Sequence, residues 1–369
     1  MISGGVGGPG GAGGAGVANS YTIGTLTNQG KIVGGAGGRS VTGGAGGAGV
    51  SNAGTITTLT NSGAITGGAG AEDGGEGGVG VANASGATIT TFDNAKGGVI
   101  SGGAGGNGGG LAGNAFDNAG AITSFTNDGT IIENGLRLRY ALDSTGSIGT
   151  LVNTGQIVGD VLIDQSKVSI TGGSGPTFGS FSGGTITIGG DLKFVGGNTE
   201  LADNVMVGDG IGTVTNIGIL RLEAPETISG AFGQSEGGML DFLLAGDALG
   251  QYGALTVTRL ATLAGGLDIS FAGGFRPKPG DSFDLLEASG GTSGVFSDLL
   301  YDGTSCSATS SDVWLCRGIG IFDLTQGGGS VDLTVLSTVP EPSTWALGVL
   351  GFLSLAGLAL RRRIRSAVA

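Results

Sequence analysis

The 369-residue chain contains no histidine and only two cysteines. Without an imidazole it lacks the commonest general base, the usual relay in a nucleophilic triad and the commonest metal ligand. Two thiols without histidine make no metal site, so neither a metal nor another cofactor is expected. Charged residues are 12% of the chain and the net charge is −13. Such a surface repels phosphates and anionic headgroups, which excludes a nucleic-acid partner. Aromatic residues are scarcer still, at 5%, with four Tyr and two Trp, which leaves few platforms for stacking sugars. No glycine-rich stretch leads into Lys-Ser or Lys-Thr, so there is no P-loop. A glycine–aspartate calcium nonapeptide is approached only once, at Ala71-Glu72-Asp73-Gly74-Gly75-Glu76. Asp160 with Asp164, and Glu72 with Asp73, are acid pairs close in sequence, but nothing marks them as more than surface charge. The chain is not expected to be an enzyme.

What is present begins at the far end. Val339-Pro340-Glu341-Pro342-Ser343-Thr344 leads into an uncharged run, Trp345 to Leu360, and then Arg361-Arg362-Arg363-Ile364-Arg365. Sixteen helical residues span about 24 Å, slightly less than a hydrocarbon core of about 30 Å. Arginine stems at one end and Trp345 in the headgroup layer at the other make up the difference. The basic cluster of Arg361, Arg362, Arg363 and Arg365 acts as a stop signal and places the C-terminus on the cytoplasmic side, with the rest of the chain outside.

The order of tripeptide, apolar run and basic cluster resembles the PEP-CTERM sorting signal of exported bacterial proteins. The resemblance implies that Pro340, Glu341, Pro342 and Ser343 are read by an exosortase, a membrane protease-transpeptidase. It also implies a precursor anchored in the inner membrane by a single helix from Trp345 to Leu360, then delivery to the envelope or extracellular matrix, where exopolysaccharide is a candidate partner. In such an exported chain Cys306 and Cys316, with nine residues between them, read as a disulfide closing a loop or hairpin end. The start Met1-Ile2-Ser3-Gly4-Gly5 has no basic or apolar leader region and falls inside a repeat, so further sequence with a signal peptide is expected upstream.

That repeat has a 33-residue period. An isoleucine recurs at Ile23, Ile56, Ile89, Ile122 and Ile148, followed by Leu26, Leu59, Phe92, Phe125 and Leu151. Next come Asn28, Asn61, Asn94, Asn127 and Asn153, then Ile32, Ile65, Val99, Ile131 and Ile157, with the third unit slipped by one residue. Upstream, Val17-Ala18-Asn19, Val50-Ser51-Asn52 and Val81-Ala82-Asn83 open the first three units. Between the fourth and fifth units the spacing falls to 26 and every column survives; a glycine tract has been replaced by the stretch from Glu133 to Arg139. The tract is therefore a loop, and the remaining twenty or so residues are one rung of a parallel β-helix with three short strands. Stacked rungs place Ile on Ile and Leu on Phe. The asparagines read equally well as a hydrogen-bonded ladder or as simple turn residues. The tracts, such as Gly4 to Gly16, are read as flexible loops, with polyproline-II-like packing as the alternative.

The fold class is thus all-β: a parallel β-solenoid with glycine-rich loops, a β-rich C-terminal cap and one C-terminal transmembrane helix. Its divisions are repeats over 1–163, irregular solenoid over 164–231, cap over 232–338 and sorting signal over 339–369. From Phe232 the strands and Gly-Asp turns resemble the C-terminal part of autotransporter passenger domains, which implies a capped solenoid end. The expected function is an exported structural or surface-interaction protein. The alternatives are an adhesin or polysaccharide-binding stalk, ice binding through the hydroxyl column Thr25, Thr58, Thr91, Ser124 and Thr150, or an enzyme such as a polysaccharide lyase, for which the basic residues are too scattered.

Overall fold

The structure, a computed structural model, describes residues 1–133 and 139–338. Each early repeat makes three strands, and each strand stacks on its counterpart in the next rung. The first face comprises Val17–Asn19, Val50–Asn52, Val81–Asn83, Phe116–Asn118 and Tyr140–Ser144. A second face holds Thr22–Asn28, Thr55–Asn61, Thr88–Asn94, Ala121–Asn127 and Ser147–Asn153. The third runs from Lys31–Val33 through Ala64–Thr66, Val99–Ser101 and Thr130–Ile132 to Gln156–Val158. All pairings between these rungs are parallel.

The repeat columns are the core. Ile56 lies opposite Ile23 and Ile89, and Leu59 opposite Leu26 and Phe92. Ile56, Leu59, Ile65, Ile89, Phe92 and Ile122 are all buried, while Ile23, Leu26 and Ile148 are partly so. Phe92, Phe116 and Phe125 form a tight aromatic cluster with centroids 4.6–5.1 Å apart. Along the second face the two inward residues lie three apart, which a flat strand of period two forbids. The strand bends between them, and Thr57 and Thr58 both face out.

One column needs correcting. The residue in register with Ile65 and Ile131 is Ile100, not Val99. Asn94 and Ile100 are six residues apart where Asn61 and Ile65 are four apart. The turn takes up the extra two residues with Gly97 at φ 84°, and Val99 is left exposed opposite Ala64 and Thr130.

Both readings of the asparagines hold together. In one ladder the Nδ2 of Asn28, Asn61, Asn94 and Asn127 each donates to the Oδ1 of the asparagine in the next rung at 2.7–2.8 Å, ending at Asn153. A second ladder runs Asn19, Asn52, Asn83, Asn118 and finishes on the hydroxyl of Ser144. The same side chains close their own turns, as where Asn28 Oδ1 accepts from the Gly30 N–H. Stacking thus satisfies buried amides that would otherwise each cost about 1–3 kcal/mol.

The glycine tracts are not flexible loops; the polyproline-II alternative describes them. Each leaves the third face, turns, and returns to the first as two extended legs. Gly34 donates to Thr66 at the end of the next third-face strand and Gly37 to Ala69 of the following tract, while Gly35 and Gly38 donate to Gly14 and Gly11 of the preceding one. The step of three residues is the polyproline-II repeat. Glycine at two positions in three permits the approach: a Cβ on Gly35 would collide with the Gly5 carbonyl, and one on Gly68 with that of Gly35. Every third residue, such as Ala36, Ala45 or Ala69, points away from the packed legs.

Where the tract is missing, third and first faces fuse. Gly179–Ile188 pairs through Ser180–Ser182 with the third-face strand Gln156–Val158 and through Ile186–Ile188 with the first-face strand Asp160–Ile163. The two faces therefore count as one 26-stranded sheet beside the 11-stranded second face. Parallel rungs continue past the expected boundary at 232 as far as Asp298–Tyr301, because the new composition keeps the inward–outward alternation. The antiparallel closure is made by the strands from Thr304–Ser305 to Ser330–Thr338, which join the last parallel rungs antiparallel at Ser282–Ala288 and Asp298–Tyr301. Among the described residues no helix is long and apolar enough to cross a membrane; the run from Trp345 to Leu360 lies outside them.

Candidate functional site

Ser330–Thr338 is the last described strand. It is held between Gly320–Gly327 and Ser282–Ala288, antiparallel to both. One strand further out, beyond Gly320–Gly327, Cys316 is bridged to Cys306, with Cα atoms 4.4 Å apart. This closed end delivers the chain directly into Val339-Pro340. The residues expected to be read for sorting (Pro340, Glu341, Pro342, Ser343), the anchor from Trp345 to Leu360, and Arg361, Arg362, Arg363 and Arg365 all lie outside the described residues.

Chemistry-bearing side chains within the solenoid are brought together by stacking, not by closeness in sequence. The pairs Asp160/Asp164 and Glu72/Asp73 do not form sites. Asp160 accepts from the Thr185 N–H, and Glu72 pairs with exposed Arg39 at 2.7 Å. Acids one rung apart do meet. Asp117 and Asp143 are register partners bridged by buried Asn114, whose Nδ2 donates to both at 2.7 and 3.3 Å. They border a hollow of about 290 Å³ with Asn83, Asn118 and Thr145. Burial raises both carboxyls, and the neighbouring Asp117 charge adds to the effect on Asp143.

Further along, the Asp203 carboxyl is pushed up to about 6 by burial and then by Asp160; the Gly184 N–H holds one of its oxygens, and the other has no partner. Glu226 rises to about 7, through burial and the Asp203 charge. Near the cap Arg221 binds Asp241 at 2.7 Å and stacks on Phe178. Among the described residues no group of three or more His, Cys, Asp or Glu is placed to hold a metal ion. Ser235 sits in a Gly233-Gln234-Ser235-Glu236-Gly237 stretch, but between two strands, and it donates to the Asn216 carbonyl. With no histidine in the chain it has no imidazole base.

The hydroxyl column of the sequence lies on the outside of the second face, with Thr25, Thr58, Thr91, Ser124 and Thr150 in register.

Parallel three-stranded rungs, asparagine ladders and an antiparallel closure define a β-solenoid. The end of this one runs into an address: the PEP-CTERM protein-sorting motif matches residues 338–363. The chain therefore carries the signal for exosortase-dependent sorting of a membrane-anchored precursor to the cell surface. No curated protein and no solved structure matches the chain.

Proposed function

We propose that the protein is a rigid structural rod displayed at the cell envelope or in the extracellular matrix, presented after exosortase cleavage near Glu341–Ser343. The observation that carries this reading is the junction at Thr338. A solenoid core locked by ladders and a disulfide-bridged cap ends where the sorting motif begins, so the folded body and the address are separate parts. The repeated rungs, stacked in register and tied by asparagine ladders, support a scaffold role. Exopolysaccharide is the partner class favoured for such a surface, and adhesion is the second reading.

Replacing Pro340-Glu341-Pro342 with alanines tests the sorting step. The variant should accumulate uncleaved in the inner membrane, whereas a chain ending at Val339 should be exported without sorting. Normal maturation of the alanine variant in a cell with a working exosortase would overturn the reading.

A further inference from the structure

The second face presents a hydroxyl lattice that the structural role does not use. Each of its first five strands sends two side chains outward beyond the bend: Thr25 and Thr27, Thr58 and Thr60, Thr91 and Asp93, Ser124 and Thr126, Thr150 and Val152. Eight of these ten carry a hydroxyl, and the rows are in register over all five rungs. Parallel strands set the row spacing at about 4.8 Å, and alternate residues along a strand lie about 6.7 Å apart.

Three further properties make this more than ordinary strand surface. First, the hydroxyls are available: among the described residues Thr150 alone of the eight bonds to another protein group, the Thr123 carbonyl at 3.4 Å. Second, the lattice is stiff. Threonine is restricted at χ1, and the Asn28-to-Asn153 ladder adjoins the Thr27 row and fixes its register. Third, it bears one charge, Asp93, on a chain of net charge −13, and no aromatic ring. A matching partner is uncharged and periodic, hydrogen-bonds over a plane, and needs no stacking platform.

We infer that this face binds ice: the rows hold a sheet of water whose spacing continues into the crystal, and the threonine methyls lie between the anchored waters. The ordering cost is met in advance by the stiffness of the rows, as for any preorganised binding surface. A neutral crystalline polysaccharide is the competitor that the test must separate.

Every buried side chain of the described core falls between Asn19 and Val335, so the portion ending at Thr338 carries its own core. Purified residues 1–338 should inhibit ice recrystallisation and partition into growing ice. Thr60→Lys with Thr91→Lys should weaken both roughly tenfold without moving the melting temperature, whereas Ala18→Lys on the first face should change neither. Asp93→Thr, which extends the second row to four consecutive hydroxyls from Thr27 to Thr126, should strengthen both. The inference fails if the unaltered protein behaves in ice like serum albumin, or if the lysine variants remain active. It fails equally if the lysine variants lose binding to microcrystalline cellulose but not to ice. The sorting tail is absent throughout, so the outcome is independent of the envelope reading.

Discussion

Asp241 and Asp268 stand directly opposite each other on adjacent rungs, both buried, and each has one carboxylate oxygen without a hydrogen-bond partner. Arg221 holds the other oxygen of Asp241, and the Gly303 N–H the other oxygen of Asp268. Asp302, on the neighbouring turn, adds a further negative charge near both. Asp268 is pushed up to about 6, first by burial and then by Asp241.

This pair sets a pH dependence. An unfolded aspartate releases its proton near pH 3.9, whereas folded Asp268 keeps it to about 6. Between those values the folded state binds more protons, so stability falls as the pH rises through the window and levels off above it. Asp203, also near 6, acts in the same sense, and Glu226 extends the fall to about pH 7. The melting temperature should therefore be higher at pH 5 than at pH 8. Asp268→Asn, with Asp203 and Glu226 intact, should narrow the difference; an unchanged difference would remove Asp268 from the account.

The ladders predict a dependence on position. Asn94→Ala removes the donor to Asn127 Oδ1 and the acceptor for Asn61 Nδ2, both buried. Urea unfolding should show a loss of about 2–4 kcal/mol. Asn153→Ala, at the end of the row, orphans only one asparagine neighbour and should cost about half as much.

The glycine bundle predicts a contrast between two alanines. Gly68→Ala places a methyl against the Gly35 carbonyl and should destabilise the repeat region by about 1–3 kcal/mol. Gly30 has open space around its Cβ position, so Gly30→Ala should be neutral or stabilise by up to about 1 kcal/mol. Equal effects from the two would mean that the tracts are not packed in solution.

At the closed end, Cys306→Ser with Cys316→Ser should lower stability by about 2–3 kcal/mol, because the bridge closes a ten-residue separation. Mass spectrometry of unreduced protein recovered from outside the cell should find no free thiol.

The rung was legible because a solenoid repeats its solution: Ile23 to Ile148 and Asn28 to Asn153 write one residue's environment five times. Ile100 was lost where two extra turn residues broke the count. The ordered tracts were signalled by Gly-Gly-x triplets in phase, but glycine's backbone entropy argued for flexibility, and only their bonds to neighbouring tracts overcome it. The carboxylate pairs were out of reach for a different reason. Asp241 and Asp268 lie 27 residues apart, and no scan of sequence neighbours finds partners one rung away. The hydroxyl row at Thr25 was visible, whereas its companion at Thr27 became evident only once the bend had shown which residues face out.

The double-sided bonding of the tracts constrains how such a gene can change. A 33-codon block can be duplicated or lost by recombination and leave every column in phase. Excising one tract from the middle of the bundle, however, would strip donors and acceptors from the tracts on either side at once. Shortening is tolerable only at a boundary of the bundle, and there it has occurred: the fifth unit, beside the last of four consecutive tracts, is the one with the 26-residue spacing. Inheritance in this family of repeats should therefore be lopsided, with rungs multiplying anywhere along the stack and glycine legs shed only from its margin.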